Sequence, residues 1–186
     1  VSNDATNWTN IYTTTTGNGG VDDITGLSGS GRYVRVLGVT RATGFGISLF
    51  EFEVYGPPQN IALNRSVVAS NVQFNTRGVA ANAGDGKSAI RWSTDALDNQ
   101  WIYVDLGSVQ SISRVKLNWE TAYASGYNIQ VSNDATNWTN IYTTTTGNGG
   151  IDDLTGLSGS GRYVRVLGVT RATGFGISLW DFEVYP

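Results

Sequence analysis

The sequence predicts an all-β protein, an antiparallel sandwich or jelly roll, on three observations. Twenty-four glycines stand against three prolines, beside nine tyrosines and six tryptophans, a composition of tight turns between aromatic-rich strands. Apolar residues recur with a period of two in short runs, and turn clusters separate those runs. No window sustains a 3.6-residue period with helix caps.

Taken in order, Ile102, Val104 and Leu106 share one face of a first strand. Val115, Leu117 and Trp119 share a face of the next, opposite Arg114, Lys116 and Asn118. Tyr127, Ile129 and Val131 alternate with Asn128 and Gln130, and Val164 and Val166 flank Arg165. Trp180, Phe182 and Val184 alternate with Asp181 and Glu183 in the last strand. Turns are expected at 105–108, 132–134, 146–150 and 158–161, where Asp, Asn, Ser and Gly cluster.

The chain has 186 residues, 40% of them hydrophobic, enough to bury a real core. Without cysteine it has no disulfides, thiolate zinc sites or thiol nucleophiles. Without histidine it lacks the commonest general base and the usual transition-metal ligand. A formal charge of −3 argues against a sequence-independent grip on nucleic acid. No stretch approaches the roughly 20 apolar residues of a membrane helix, so no membrane insertion is expected. A cysteine-free β composition rich in Asn, Thr and Gly leads to the expectation of an extracellular protein, secreted or at the cell surface.

Residues 1–55 repeat as residues 131–185, differing only at Val21/Ile151, Ile24/Leu154, Phe50/Trp180 and Glu51/Asp181. Each difference keeps the chemistry and roughly the volume. The block between them, 56–130, occurs once. The expected organisation is a complete domain at 60–186, a linker at 56–59 in which Pro57-Pro58 stops any strand ladder, and at 1–55 the C-terminal half of an identical preceding repeat. Strands are expected in that half at Tyr33-Val34-Arg35-Val36 and Phe50-Glu51-Phe52-Glu53-Val54. Lacking the block they should pack against, residues 1–55 call for adjacent repeats or neighbouring subunits to complete them, and the chain reads as a window on a longer array.

Several motifs follow one another in the complete domain: Asn60-Ile61-Ala62-Leu63-Asn64, Gly84-Asp85-Gly86, Arg91-Trp92-Ser93, Gln100-Trp101-Ile102-Tyr103-Val104-Asp105-Leu106-Gly107, the run from Tyr127 to Asp134, Trp138, Arg162-Tyr163-Val164-Arg165 and Asp181-Phe182-Glu183-Val184-Tyr185. In this order they resemble the discoidin, or coagulation-factor C-type, domain, and within it the bacterial branch of family 32 carbohydrate-binding modules. Residues 119–123 and 173–176 further resemble the copies appended to secreted polysaccharide hydrolases. The resemblance implies an eight-stranded jelly roll, sugar binding through loops at one end, and a structural calcium ion.

A sugar site needs a flat apolar surface for the pyranose ring and planar polar groups for its hydroxyls. Loop aromatics outside the strand alternation are the candidates: Tyr123, whose small neighbours leave a ring uncovered, Phe175 between Gly174 and Gly176, and Phe74. Arg171, Glu120, Arg77 and Asn71 are the polar candidates, with solvated loop charges or internal Arg–Glu pairs as the plain alternative. Trp92, Trp101 and Trp138 are expected in the core, while Trp119 borders both core and loop. The calcium ligands that the resemblance implies fall on the Asp85 and Asp181 side chains with carbonyls near Asn82, Lys87, Ile90 and Trp180. Lys87 and Ile90 replace the usual asparagine and threonine, and Asp85 capping its own turn is the alternative. Asp152-Asp153 reads as a solvated turn.

The expected function is a non-catalytic polysaccharide-binding module, for a glucan or glucosamine-containing polymer, strengthened by tandem repetition. A two-carboxylate glycoside hydrolase could draw only on Asp95, Asp98 and Glu120, with no fixed separation between them. A structural or adhesive repeat protein, building a stalk or filament, is the other alternative.

Overall fold

Alternation becomes layers once the strands find partners. A computed structural model describes residues 1–73 and 78–186, so Phe74 and Arg77 lie outside the described residues. The chain forms two compact units, Val1–Gly56 and Pro57–Pro186.

The second unit contains β1 (Ser66–Ala69), a 3-10 helix (Ala80–Gly84), β2 (Trp92–Ser93), β3 (Gln100–Trp119), β4 (Ala124–Ser132), β5 (Thr139–Thr144), β6 (Ile151–Arg171) and β7 (Ser178–Tyr185). All pairings are antiparallel. Two strands are long and bent, and they make the sandwich. The first half of β3 lies between β1 and the second half of β6, which continues to β4 and β5. The second half of β3 lies between β7, with β2 beyond, and the first half of β6.

The expected turns at 105–108 and 158–161 are therefore bends inside continuous strands. The ladder breaks register between Asp105 and Gln110, and Gly107 takes φ +85° there while its N–H donates to Asp105 Oδ1 at 2.8 Å. Arg162 forks across Asp105 at 2.8 and 2.7 Å, clamping the bend. The described residues form seven strands where the resemblance implies eight, and β3 and β6 each run through both layers.

The residues expected to face inward do so: Ile102, Val104, Leu106, Val115, Leu117, Tyr127, Ile129, Val164, Val166, Phe182 and Val184 are all buried. Each full burial of a large apolar side chain contributes about 1.5–3 kcal/mol. Trp92 is in the core as expected, and Trp119 joins it.

Three tryptophan expectations need correction. Trp101 and Trp138 are half-buried on the outer face of the β3–β6 layer. The parity that turns Ile102 and Val104 inward turns Trp101 and Tyr103 outward, where their rings stack at 5.5 Å. Arg165 lies over Trp138, 4.0 Å from its centroid. Trp180 is only half-buried because the β3–β7 register shifts between Asn118 and Trp119: Asn118 faces Asp181, and Trp119 faces Leu179. Trp180 is the extra residue of that bulge, so Leu179 takes the inward place.

The two ends of the module meet at the Gly107 end of the sandwich. Ile61 N–H donates to the Val184 carbonyl at 2.9 Å, and Asn60 Oδ1 accepts from Val184 N–H at 3.1 Å.

In the first unit, the strands expected at 33–36 and 50–54 do not form; residues 1–56 contain one isolated antiparallel bridge, Ser2 to Tyr33. The reason is the pairing pattern of the second unit, where the corresponding strands β5, β6 and β7 pair with β2, β3 and β4, and not with one another.

Candidate functional site

The bend in β3 brings both its ends, Gln100 and Trp119, to the side of the sandwich away from Gly107. Five segments collect there: residues 70–71, 94–99, 120–123, 145–150 and 172–177. Backbone hydrogen bonds knit them together. Glu120 N–H donates to the Ser178 carbonyl (3.1 Å), Ser178 N–H to Ala122 (2.7 Å), Ala172 N–H to Tyr123 (3.0 Å) and Trp119 N–H to Gly150 (2.7 Å). Loops fixed in this way form a preorganised surface.

Phe175 is 71% exposed. Its loop is held from beneath: Phe175 N–H donates to Thr173 Oγ1 and Arg171 Nη1 to the Phe175 carbonyl, both at 3.2 Å. Ile177 N–H donates to the buried Thr94 hydroxyl at 2.9 Å. Gly176 is required by proximity, since a Cβ there would sit 2.0 Å from the Thr94 carbonyl oxygen. Tyr123 is less free than its small neighbours imply. Its ring is half-buried against Gly149, where a Cβ would come within 2.8 Å of Cδ1.

The polar candidates are spoken for within the protein. Arg171 donates from its backbone N–H (3.0 Å) and from Nε (2.9 Å) to Asp98 Oδ1, so its ion pair is with Asp98 rather than with a glutamate. Those two hydrogen bonds hold the Asp98 carboxyl below its usual range. Asn71 locks Asp95, with Nδ2 donating to Oδ2 at 3.1 Å and Oδ1 accepting from the backbone N–H at 2.8 Å. Glu120 Oε2 accepts from Ala122 N–H at 2.9 Å. The carboxylates Asp95, Asp98 and Glu120 face one guanidinium, Arg171, so the described residues of these loops carry a formal charge of 1 − 3 = −2.

Beneath the loops lies a polar knot that the sequence reading missed. Asp152 Oδ2 accepts from Trp119 Nε1 at 2.7 Å and from the Tyr127 hydroxyl at 2.6 Å. Burial, reinforced by the Asp152 carboxylate, raises the Tyr127 hydroxyl well above its ordinary range. Asp153 forks to Arg114 on the outer surface. The two aspartates are thus strand residues pointing opposite ways, not a solvated turn, and the Leu117–Asp152 register that places them is a property of the paired strands.

The implied metal site can be tested on its donors. Asp181 is buried, and its carboxyl is pushed up to about 6 by burial first, then by the charges of Glu183 and Asp85. A buried carboxyl beside further negative charge suits a divalent cation. Asp85 Oδ1 accepts from Lys87 N–H at 2.9 Å, the turn cap expected of it, and Lys87 itself is exposed. Asn82 Nδ2 donates to the Arg91 carbonyl at 2.9 Å. Among the described residues no three His, Cys, Asp or Glu side chains cluster, so most of the oxygens around an ion would be carbonyls.

The family model described as a NedA-like, galactose-binding domain of the F5/F8 type C group matches residues 82–166. Chitosan-binding module 1 from a chitosanase/glucanase of Paenibacillus sp. IK-5 is 55% identical, with 69% of this chain and 99% of that chain covered at a TM-score of 0.66. The chain belongs to the discoidin-like family of carbohydrate-binding modules. Chitosan-binding module 2 of the same Paenibacillus enzyme, solved in complex with chitotriose, is 52% identical over 68% of this chain and 100% of its own, with a TM-score of 0.66. A family 32 module of Clostridium perfringens, 20% identical at a TM-score of 0.61, shares the fold. A polysaccharide lyase 8 family protein of Enterococcus faecalis, HylA, is 39% identical over 72 residues, and the chain spans 5% of its length.

Proposed function

We propose that the module binds a glucosamine-containing polysaccharide of the chitosan type through the loop end, with no catalysis of its own. One observation carries the reading: an exposed aromatic ring, Phe175, stands on a backbone-fixed rim of net negative charge. A pyranose presents a C–H face that stacks on such a ring, and the amines of glucosamine are cations that an acidic rim attracts. The 52% identical Paenibacillus module in complex with chitotriose supports it. In this reading Phe175 and the open edge of Tyr123 stack, while Asp98, Glu120 and Asp95 accept from amines and hydroxyls. Arg171 holds Asp98 and the Phe175 loop in place. Asn71 serves through Asp95 rather than by touching sugar.

A glycosidase needs one carboxyl kept protonated by a raised pKa, and Asp98, held down by its bonds from Arg171, is not that acid. The module would act by holding an attached secreted or cell-surface protein on its polymer, and the filament alternative has no counterpart among the relatives named above. Calcium, held by Asp85, Asp181 and the carbonyls of Asn82, Lys87, Ile90 and Trp180, would brace the strand edge behind the loops.

Titration calorimetry with glucosamine, N-acetylglucosamine and cellulose oligomers of equal length tests the assignment. Glucosamine oligomers should bind tightest, and the preference should shrink as salt rises. Equal affinity for all three would remove any role for the acidic rim.

A further inference from the structure

Residues 1–55 and 131–185 are the same at all but four positions, yet one copy holds three strands and the other none. What the first copy keeps is a set of contacts that the segment makes alone. Asp4 accepts from the N–H groups of Thr6 and Asn7 as Asp134 does from Thr136 and Asn137. Arg35 lies 4.0 Å over Trp8, as Arg165 lies over Trp138. Left-handed backbone recurs at Ala5, Gly19, Gly20 and Gly26 as at Ala135, Gly149, Gly150 and Gly156. The Ser2–Tyr33 bridge matches the Ser132–Tyr163 pair.

What it lacks is its cover. Val34, Val36, Ile47, Leu49, Phe52 and Val54 are 40–60% exposed, while their counterparts Val164, Val166, Ile177, Leu179, Phe182 and Val184 are at most 2% exposed. The first copy keeps these local contacts while the residues that face the core in the second copy stay open. In the second copy that face is covered by β3, β2 and most of β4, all drawn from residues 60–130. The four differences keep apolar for apolar and acid for acid, so the same partner fits.

We propose that residues 1–55 are the second half of another module, and that their open face takes a segment with the sequence of residues 60–130 joined directly ahead of Val1. A second copy of this chain is a poor source, because its only 60–130 block is held by its own 131–185 at the high effective concentration of a tether. Completed in this way, the second module sets Arg41 and Phe45 where the first has Arg171 and Phe175. On the sugar reading proposed above, the array then carries two binding sites.

The test is a chain with a copy of residues 60–130 fused ahead of Val1, compared with the 186-residue chain by amide exchange. In the fused chain the amides of residues 33–36 and 50–54 should slow about 1,000-fold or more, to the level of 163–166 and 180–184. V34D with V36D should cancel that gain in the fused chain and leave residues 163–166 protected. Rapid exchange of residues 33–54 in the fused chain overturns the proposal. So does strong protection of those residues in the 186-residue chain alone, whether monomer or dimer. Oligosaccharide stoichiometry separates the two readings: protection gained with one site per chain upholds the pairing and defeats the sugar site.

Discussion

Asp152→Ala puts the polar knot beneath the loops to the test, with a control built into the sequence. The substitution strands two donors, the Trp119 indole N–H and the Tyr127 hydroxyl, on side chains that are 3% and 1% exposed. An unpaired buried donor costs about 1–3 kcal/mol, so the pair sets a range of about 2–6. The space vacated by the carboxylate can admit water, which places the expectation near 3 kcal/mol. For a domain of this size that lowers the melting temperature by about 10 °C. Asp152→Asn keeps an acceptor but gives up the charge-assisted bonds, and should cost about half as much. Asp22→Ala makes the identical change in the first unit, where the residue is exposed, and should stay within about 0.5 kcal/mol. Urea unfolding followed by tryptophan fluorescence measures all three. A loss below about 1 kcal/mol for Asp152→Ala, or an equal loss for Asp22→Ala, would refute the idea that the knot supports the loops.

Phe175→Ala should weaken glucosamine oligomer binding by about 1–2 kcal/mol, as for other stacking platforms, and leave the melting temperature unchanged because the ring is exposed; calorimetry and thermal melts read the two. Chelation should lower the melting temperature and added calcium should restore it, since an ion bound only by the folded state adds to its stability; Asp181→Ala should abolish the response, and identical melts throughout would dismiss the ion. The carboxyls of Asp98, Asp105 and Asp153, held down chiefly by hydrogen bonds from arginine, and of Asp134, held down chiefly by the Asn137 N–H, have folded pKa values below their unfolded ones. Their contribution is complete above about pH 4–5 and drains away as pH falls through the folded values, so urea midpoints should drop below pH 4, while Asp181, raised to about 6 by burial, works the other way and withdraws stability as pH rises from about 4 to 6. Asp105→Asn should flatten part of that acid limb.

The layers of the sandwich were legible because alternation is a local property: Ile102, Val104 and Leu106 declare their face whatever they pair with. The same rule, followed strictly, would also have turned Trp101 outward, and the habit of burying tryptophan obscured it. Trp180 was out of reach, because the bulge that displaces it is a property of the β3–β7 register and not of either strand alone. The absence of strands in residues 1–55 is decided by partners rather than by propensity; the missing partner block was legible in the repeat, its effect on strand formation was not. Tyr123, Phe175, Arg171, Glu120 and Asn71, chosen as loop residues outside the strand alternation, do lie at one end of the sandwich. The pairings that fix their roles were not legible, for Arg171 with Asp98 and Asn71 with Asp95 join residues 73 and 24 positions apart. No local pattern encodes such distances.

The clasp between Asn60, Ile61 and Val184 has a mechanical consequence. If the module anchors an attached protein as proposed, a pull enters it through its two chain ends. Here those ends lie side by side, joined by two hydrogen bonds, on the pole away from the loops. Tension along the polypeptide therefore opens the clasp like a zipper tab, one bond at a time, and reaches the core only after the clasp has parted. The loop pole stands outside the line of force, so a module under load can yield at its base while the surface facing the polymer keeps its shape.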